Sequence, residues 1–226
     1  MRELFVIEKP NSSFGEEIKK IRTNLMFSKV DDDMKVIMIT SSIPGEGKSF
    51  ISSNLAAAFA QANENTLLID CDLRRGRVKK IFNIPPEEKG LSDLLINKQW
   101  KDEYSDYIQK TDINKLSIII SGSYPPNPSE LLASSRFGEL LRELKTKYDF
   151  VILDCPPVIG LNDALVVGKK ADISVLIANY RKTSMEVLEK SKNELDKMGV
   201  KLAGIILNEK ETTENKYYYY NSYYRE

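Results

Sequence analysis

The sequence predicts an α/β fold, a mostly parallel central sheet flanked by helices on both faces, and three observations carry that expectation. Short runs rich in Ile and Val recur at 36–40, 66–69, 116–120, 150–153, 173–178 and 202–207. Helix-length segments separate them, at 48–62, 135–147, 161–169 and 184–198. The runs are near-continuously apolar, which suits strands covered on both faces. In such sheets ligands lie beyond the carboxyl ends of the strands, so function is to be sought just after each run.

At 226 residues the chain has an ordinary size for one α/β domain. Folding at this length hides roughly 70% of the surface that the unfolded chain exposes. Thirty-three Lys and Arg balance thirty-three Asp and Glu. No net field therefore favours nucleic acid or an anionic membrane, and neither is expected as a partner. No apolar run approaches the roughly 20 residues of a membrane helix, and the first residues lack a secretory pattern, so a cytoplasmic address is expected. The lack of histidine excludes an imidazole base, a histidine-dependent triad and a histidine metal site. Cys71 and Cys155 are too few for a disulfide framework and suit a reducing compartment.

Along the chain, Ser13-Phe14-Gly15-Glu16 has the spacing of a capping box, and Phe14, Ile18, Ile21 and Leu25 recur at helical intervals. A first helix ending before Asp31-Asp32-Asp33 follows from this. After the run at 36–40 comes Ser42-Ile43-Pro44-Gly45-Glu46-Gly47-Lys48-Ser49, which opens the next helix with the x4-Gly-Lys-Ser spacing of a P-loop, Ser42 standing at the usual first glycine. Small residues let backbone N–H groups turn inward on phosphate oxygens, and the helix N-terminus adds positive potential. The Lys48 ammonium can bridge two phosphates, and the Ser49 hydroxyl suits Mg²⁺.

Carboxylates close two further runs. The run at 66–69 leads into Asp70-Cys71-Asp72-Leu73-Arg74, and that at 150–153 into Asp154-Cys155-Pro156-Pro157. Asp154 has Walker B placement at the tip of a buried strand, while Asp70 and Asp72, two apart, leave the same face of an extended backbone toward one pocket. Helix capping would explain any one of these aspartates but not the set beside a P-loop. The segment 85–112 is more polar, includes a Trp100–Tyr107 stretch expected in solvent, and reads as connecting helices over the sheet edge. Past Asn208 the chain is charged and turn-forming, then ends in a low-complexity tyrosine cluster.

Together these motifs resemble the bacterial protein-tyrosine kinases (BY-kinases) that accompany capsule and exopolysaccharide assembly, over nearly the whole chain. Ser42–Ser49 matches their Walker A loop, Leu67–Arg74 their distinctive Walker A′, and Val151–Pro156 their Walker B. The stretches Gly90–Leu95 and Pro125–Leu132 and the terminal tyrosines are similar too. The resemblance implies a P-loop NTPase scaffold. A kinase domain is then expected over 1–208, its residues 1–33 forming a helical oligomerisation segment, with a flexible tyrosine-rich tail over 209–226. ATP and Mg²⁺ are the implied cofactors. Gly45, Glu46, Gly47, Lys48, Ser49, Phe50 and Asn208 would surround the nucleotide, with Ser49, Asp72 and Asp154 at the metal. Lys48, Asp70 and Asp72 are the implied catalytic residues. Asp70 is the candidate proton acceptor, weakened by a low carboxyl pKa, or else a further metal contact.

The implied function is an ATP-dependent tyrosine autokinase, a non-specific protein-tyrosine kinase. It would phosphorylate Tyr217, Tyr218, Tyr219, Tyr220, Tyr223 and Tyr224 of a neighbouring subunit in a ring-shaped homo-oligomer such as an octamer, and tyrosines of other proteins. Regulation of capsular or exopolysaccharide synthesis and export would follow, with a membrane-anchored adaptor recruiting and activating the chain at the inner face of the cell membrane. Glu16, Lys19 and Arg22 match the family's oligomer motif, except that Lys19 stands where it has Arg and lacks the bidentate fork. The alternative is a P-loop switch of the partitioning or division-positioning type. Those proteins carry a lysine where this sequence has Ile43, and a tyrosine tail favours the kinase. Of the basic cluster, Arg74 and Arg75 are expected beside phosphate or acidic peptide, and Arg77, Lys79 and Lys80 on a solvated face. Asp163 is expected to cap the helix after it, with an active-site role as the alternative. For Asn208, strand-end capping competes with the adenine contact that the resemblance implies.

Overall fold

The computed structural model describes residues 3–27, 34–85 and 88–209. Its strands are β1 (Val36–Ser41), β2 (Thr66–Asp70), β3 (Gln109–Lys110), β4 (Leu116–Ile119), β5 (Phe150–Asp154), β6 (Ile173–Asn179) and β7 (Leu202–Asn208). They form one sheet in the order β3-β4-β2-β5-β1-β6-β7, with every pair parallel except β3 with β4. Strand alternation divides the core. Val36, Met38, Leu67, Ile69, Val151 and Leu153 face one side, where α5 (Leu91–Ile96), α7 (Pro128–Ala133), α8 (Ser135–Lys147), α9 (Asp163–Gly168) and α10 (Met185–Lys197) cover them. Ile37, Ile39, Leu68, Phe150 and Ile152 face the other, under α1 (Phe5–Glu8), α2 (Ser13–Phe27), α3 (Lys48–Gln61) and the short α4 (Val78–Ile81). Each such side chain contributes roughly 1.5–3 kcal/mol of burial.

The P-loop helix α3 lies between the sheet and the N-terminal helices and is buried on nearly every side from Ile51 to Ala60. Its Ala56-Ala57-Ala58 run permits that close approach. Phe59 stacks on Phe150 with ring centroids 4.2 Å apart, fixing the helix to β5. The covered sheet and the P-loop connection agree with the fold class expected from sequence.

Several local expectations are corrected. The cap of α2 is Ser12, whose hydroxyl accepts from Gly15 N at 3.1 Å; Glu16, free of any capping role, pairs with Lys19 one turn on. The Trp100–Tyr107 stretch is solvated on one side only, at Lys101, Asp102, Ser105 and Asp106. Trp100 in α6 (Trp100–Glu103), Tyr104 and Tyr107 are buried because helical spacing, continued in a short 3₁₀ turn, puts the three rings on the core side. Strand β7 is half exposed, since it forms an edge; Ile205 and Leu207 are 42% and 52% exposed.

Asp172 ties three elements together just before β6. Its Oδ2 accepts from the N–H groups of Lys35 at 2.9 Å and Val36 at 2.8 Å, and its Oδ1 from Lys145 Nζ at 2.9 Å. Partial burial alone would raise this carboxyl's pKa, but the donors override it and hold the group below its ordinary value. A carboxylate with a depressed folded pKa stabilises the fold above its unfolded pKa and loses that contribution as pH falls through the folded value. Asp172→Asn is therefore expected to lower Tm at pH 7 by about 2–4 °C. The gap to wild type closes as pH drops below about 4, as circular-dichroism melts across that range will read.

Candidate active site

Strand β1 ends in the P-loop, whose tight turn requires left-handed backbone at Gly45, φ +84°, and Gly47, φ +88°. A Cβ at Gly47 would also lie 2.3 Å from Asn208 Nδ2. That amide donates to Glu46 O at 2.9 Å, so the end of β7 holds the loop backbone. Glu46 is not turned toward a ligand. It is buried, with Oε2 accepting from Ile43 N at 2.8 Å and Oε1 from Asn179 N at 3.2 Å and from the Thr183 hydroxyl. Its side chain brackets the loop to the end of β6, and only its main chain belongs to the nucleotide cradle. Intramolecular carboxylate–amide spacing of this kind leaves no periodic signature in a sequence.

Opposite the loop, register pairing sets Asp70 of β2 beside Asp154 of β5. Both share the strand parity of Leu68 and Ile152 and so project toward α3. Lys48, the first residue of α3, reaches across to Asp72 with Nζ 2.8 Å from Oδ2. Burial opposes the Lys48 charge, but Asp154, Asp72 and Asp70 outweigh it and hold its pKa above the ordinary lysine value. Asp154 is fully buried and its pKa is raised, chiefly by burial, with the Lys48 ammonium pulling it back. Neither of its oxygens has a partner at hydrogen-bond geometry among the described residues, although the Ser49 and Ser52 hydroxyls are close enough to lower the pKa.

Asp70 differs from its expectation. Burial first, and then the Asp154 charge, push its carboxyl well above the usual range, so it is not a low-pKa group. Its Oδ1 accepts from Asp72 N and its Oδ2 from Val78 N, each at 3.1 Å. It is wholly buried, whereas Asp72 lines the cleft. The aspartates therefore do not converge as one cage, and among the described residues no cluster of three or more acidic or sulfur ligands is ready-made for a metal. Magnesium beside a P-loop needs only one or two protein groups, completed by phosphates and water. The unpartnered oxygens of Asp154 next to Ser49 fit that requirement.

The cleft has a volume of about 520 Å³. Gly45, Gly47, Lys48, Ser49 and Phe50 form one wall, and Asp72, Arg74, Arg75 and Arg77 another. Arg77, expected on a solvated face with Lys79 and Lys80, is exposed and also lines the cleft. Asp163 caps no helix. It is wholly buried and accepts from Arg74 Nε at 2.8 Å and from the Ser129 hydroxyl, orienting the Arg74 guanidinium. Of the expected oligomer residues, Lys19 bonds Glu16 Oε1 at 2.8 Å and Arg22 donates to Ala58 O at 3.0 Å, contacts internal to the chain. The tyrosines Tyr217, Tyr218, Tyr219, Tyr220, Tyr223 and Tyr224 lie outside the described residues.

A family model described as an AAA domain matches residues 34–201. The tyrosine-protein kinase YwqD of Bacillus subtilis is 39% identical over 219 residues, covering 97% of this chain and 91% of its own. The chain belongs to the bacterial tyrosine-protein kinases. The crystal structure of the chimerical protein CapA2B2 superposes with a TM-score of 0.88 at 39% identity, covering 94% of this kinase and 92% of that chain. The kinase domain of Escherichia coli Etk gives 0.85 at 36% identity, covering 93% and 82%. The division ATPase MinD of Pyrococcus furiosus, at 23% identity and 0.64 over 77% and 71% of the two chains, shares the fold alone. The kinase is a transferase with a nucleotide-binding P-loop, and among its described residues no helix is long and apolar enough to cross a membrane.

Removing the Glu46 carboxylate leaves the Ile43 N–H without its acceptor, at a cost of about 1–3 kcal/mol, and takes from Asn179 N and the Thr183 hydroxyl a shared partner, although Asn179 N keeps the Thr183 oxygen at 2.9 Å. Glu46→Ala is accordingly expected to lower Tm in the nucleotide-free protein by several degrees and to weaken nucleotide affinity as well. Differential scanning fluorimetry with and without an ATP analogue separates the bracket from a nucleotide contact, which would leave the ligand-free Tm unchanged.

Proposed function

We propose that this kinase transfers the γ-phosphoryl group of Mg-ATP to the tyrosines Tyr217–Tyr220, Tyr223 and Tyr224 of a neighbouring subunit in a homo-oligomeric ring, and to other proteins. Through that activity it regulates the synthesis and export of capsular or exopolysaccharide, working beside a membrane-anchored adaptor at the inner face of the membrane. The domain covers 1–208, with Glu16, Lys19 and Arg22 in the ring contact and 209–226 as the acceptor tail. The observation that carries the reading is the meeting of Lys48, Asp72 and the unpartnered Asp154 carboxylate at a glycine-turned P-loop beside an open cleft.

In this reading Lys48 exchanges Asp72 for phosphate oxygens when the nucleotide enters, and Gly45 to Ser49 present their N–H groups to the same phosphates. Asn208 and the Glu46 bracket keep that cradle in shape. Ser49 and Asp154 would hold magnesium, which would supply charge to offset the negative charge on the transferred phosphoryl oxygens. Asp72, placed at the metal by resemblance, has the geometry of a proton acceptor instead, because it faces the cleft while Asp70 is buried behind it. A tyrosine hydroxyl has a pKa of about 10 and needs such an acceptor at neutral pH. Its oxygen bonds the γ-phosphorus as the bond to the β-bridging oxygen breaks, ADP leaves with that electron pair, and the phenolic proton passes to Asp72 and on to water. Asp70 fixes the loop that carries Asp72.

Purified kinase incubated with Mg-ATP is expected to show phosphate on the C-terminal tyrosines by mass spectrometry. Lys48→Met lowers labelling about a hundredfold or more, and replacing the tail tyrosines by Phe removes self-labelling while nucleotide binding stays. Release of phosphate to water with no phosphotyrosine, even beside an activator, would overturn the assignment. Asp72→Asn is expected to abolish transfer with nucleotide affinity retained, and Asp70→Asn to lower Tm first; the reverse pattern would return the proton to Asp70.

A further inference from the structure

The cleft holds more positive charge than the nucleotide site accounts for. Of its four cations, Lys48 is paired with Asp72 and Arg74 with Asp163. Arg75 and Arg77 line the same cleft with exposed side chains, and neither guanidinium has an ion-pair or hydrogen-bond partner among the described residues. They do not sit on a loose surface turn. Asp72 Oδ1 accepts from Arg75 N at 3.0 Å, and Asp70 Oδ2 from Val78 N at 3.1 Å, so carboxylates of the site grip the turn on both sides. Between the arginines, a Cβ at Gly76 would stand 2.1 Å from Ser121 Oγ and 2.7 Å from Asp70 Oδ2, so glycine lets the turn press directly on the buried carboxylate. The backbone that carries both arginines is pre-placed next to Asp72, and conformational freedom already given up on folding is not lost again on binding.

Resting on the tyrosine-kinase reading above, we propose that Arg75 and Arg77 bind the phosphate of a phosphotyrosine already present on the acceptor segment, so that each transfer primes the next. A guanidinium matches a phosphate monoester with paired N–H bonds, and phosphotyrosine brings about −1.5 to −2 charge at neutral pH. Two unpaired forks complement that charge. The acceptor suits such a site, because four of its tyrosines are consecutive and two more follow within four residues. A phosphorylated ring therefore always has an unmodified one a few residues away, at about 3.3–3.6 Å per residue of extended chain. Pro156, Pro157 and Leu161 line the same cleft and offer apolar surface for the second ring. The nucleotide's own phosphates are the other possible source of the same chemistry, and the test separates the two.

Two peptides spanning residues 215–226, one unmodified and one phosphorylated at Tyr223, are offered in trans to the wild-type kinase with saturating Mg-ATP. The primed peptide is expected to show a KM about tenfold lower, with kcat little changed. In Arg75→Ala/Arg77→Ala that ratio falls to about one, and Arg75→Lys/Arg77→Lys recovers part of it. Equal KM values for the two peptides in wild type, or a preference that survives in the alanine variant, would overturn the proposal. ATP affinity lost in the alanine variant by the same factor would assign the arginines to the nucleotide and overturn it equally. Fluorescence anisotropy of the labelled peptides reads binding without turnover, and the primed peptide is expected to bind about tenfold more tightly to wild type alone. Absence of transfer to either peptide, with that binding difference intact, would sink the kinase reading and leave the phosphate site standing. Loss of the binding difference itself would sink the site.

Discussion

One ammonium among three buried carboxylates is the constraint on which the rest of this structure depends. Lys48 is ion-paired to Asp72 and lies within the field of Asp70 and Asp154, all three shielded from water. Taking charges out of water costs several kcal/mol per ion, and one cation cannot offset three anions. Burial first, and neighbouring carboxylates after it, raise the pKa of both Asp70 and Asp154 against the pull of Lys48. A site left short of positive charge in a low-dielectric pocket is arranged to receive a cation, and Asp154, without a hydrogen-bond partner among the described residues, is where the shortage is sharpest.

The fold pays for that arrangement through its sheet order. Parallel pairing of β2 with β5 and of β5 with β1 sets three carboxyl ends side by side, so the P-loop and both acidic strand tips open on one edge. Strand parity then sends the aspartates to the α3 face, while Cys71 and Cys155, one residue later, turn to the opposite core. Burial pushes both thiols up in pKa, which keeps them as packing groups beneath the charged edge. The P-loop needs no hydrophobic anchor, because Glu46 and Asn208 fix it from the ends of β6 and β7.

Much of this was legible from the sequence, for physical reasons that also mark where legibility stopped. Glycine spacing and strand-end aspartates are local, so the tight turn at Gly45 and Gly47 and the gathering of Lys48, Asp72 and Asp154 at the strand ends could be read from a few consecutive residues. Residues that act across long separations could not. The Glu46 carboxylate, which stands in the P-loop pattern, brackets the loop to Asn179, 133 positions away. Asp163 looked like a helix cap because Asp commonly stands there, yet its partner Arg74 is 89 positions distant. Arg77 is exposed, as charge at helical spacing usually is, and what the spacing did not tell is that its exposed side chain also lines the cleft. The exposed half of β7 was hidden for a related reason: an apolar run does not say whether its strand is central or at an edge.

The N-terminal helices belong to the same mechanical unit as the cleft. Phe5 of α1 and Phe14 of α2 both stack on Phe50, at centroid distances of 5.7 and 4.9 Å, and Phe50 follows Ser49 in the P-loop helix. Asn54, one turn further along α3, accepts from Val6 N at 3.0 Å and donates to Glu3 O at 2.9 Å. Glu3 itself lines the cleft. A close-packed interior transmits displacement because it has few voids to absorb it. The aromatic cluster therefore makes α1, α2 and the first turn of α3, where Lys48 and Ser49 are held, one packed body, and a displacement of either N-terminal helix is borne by that turn.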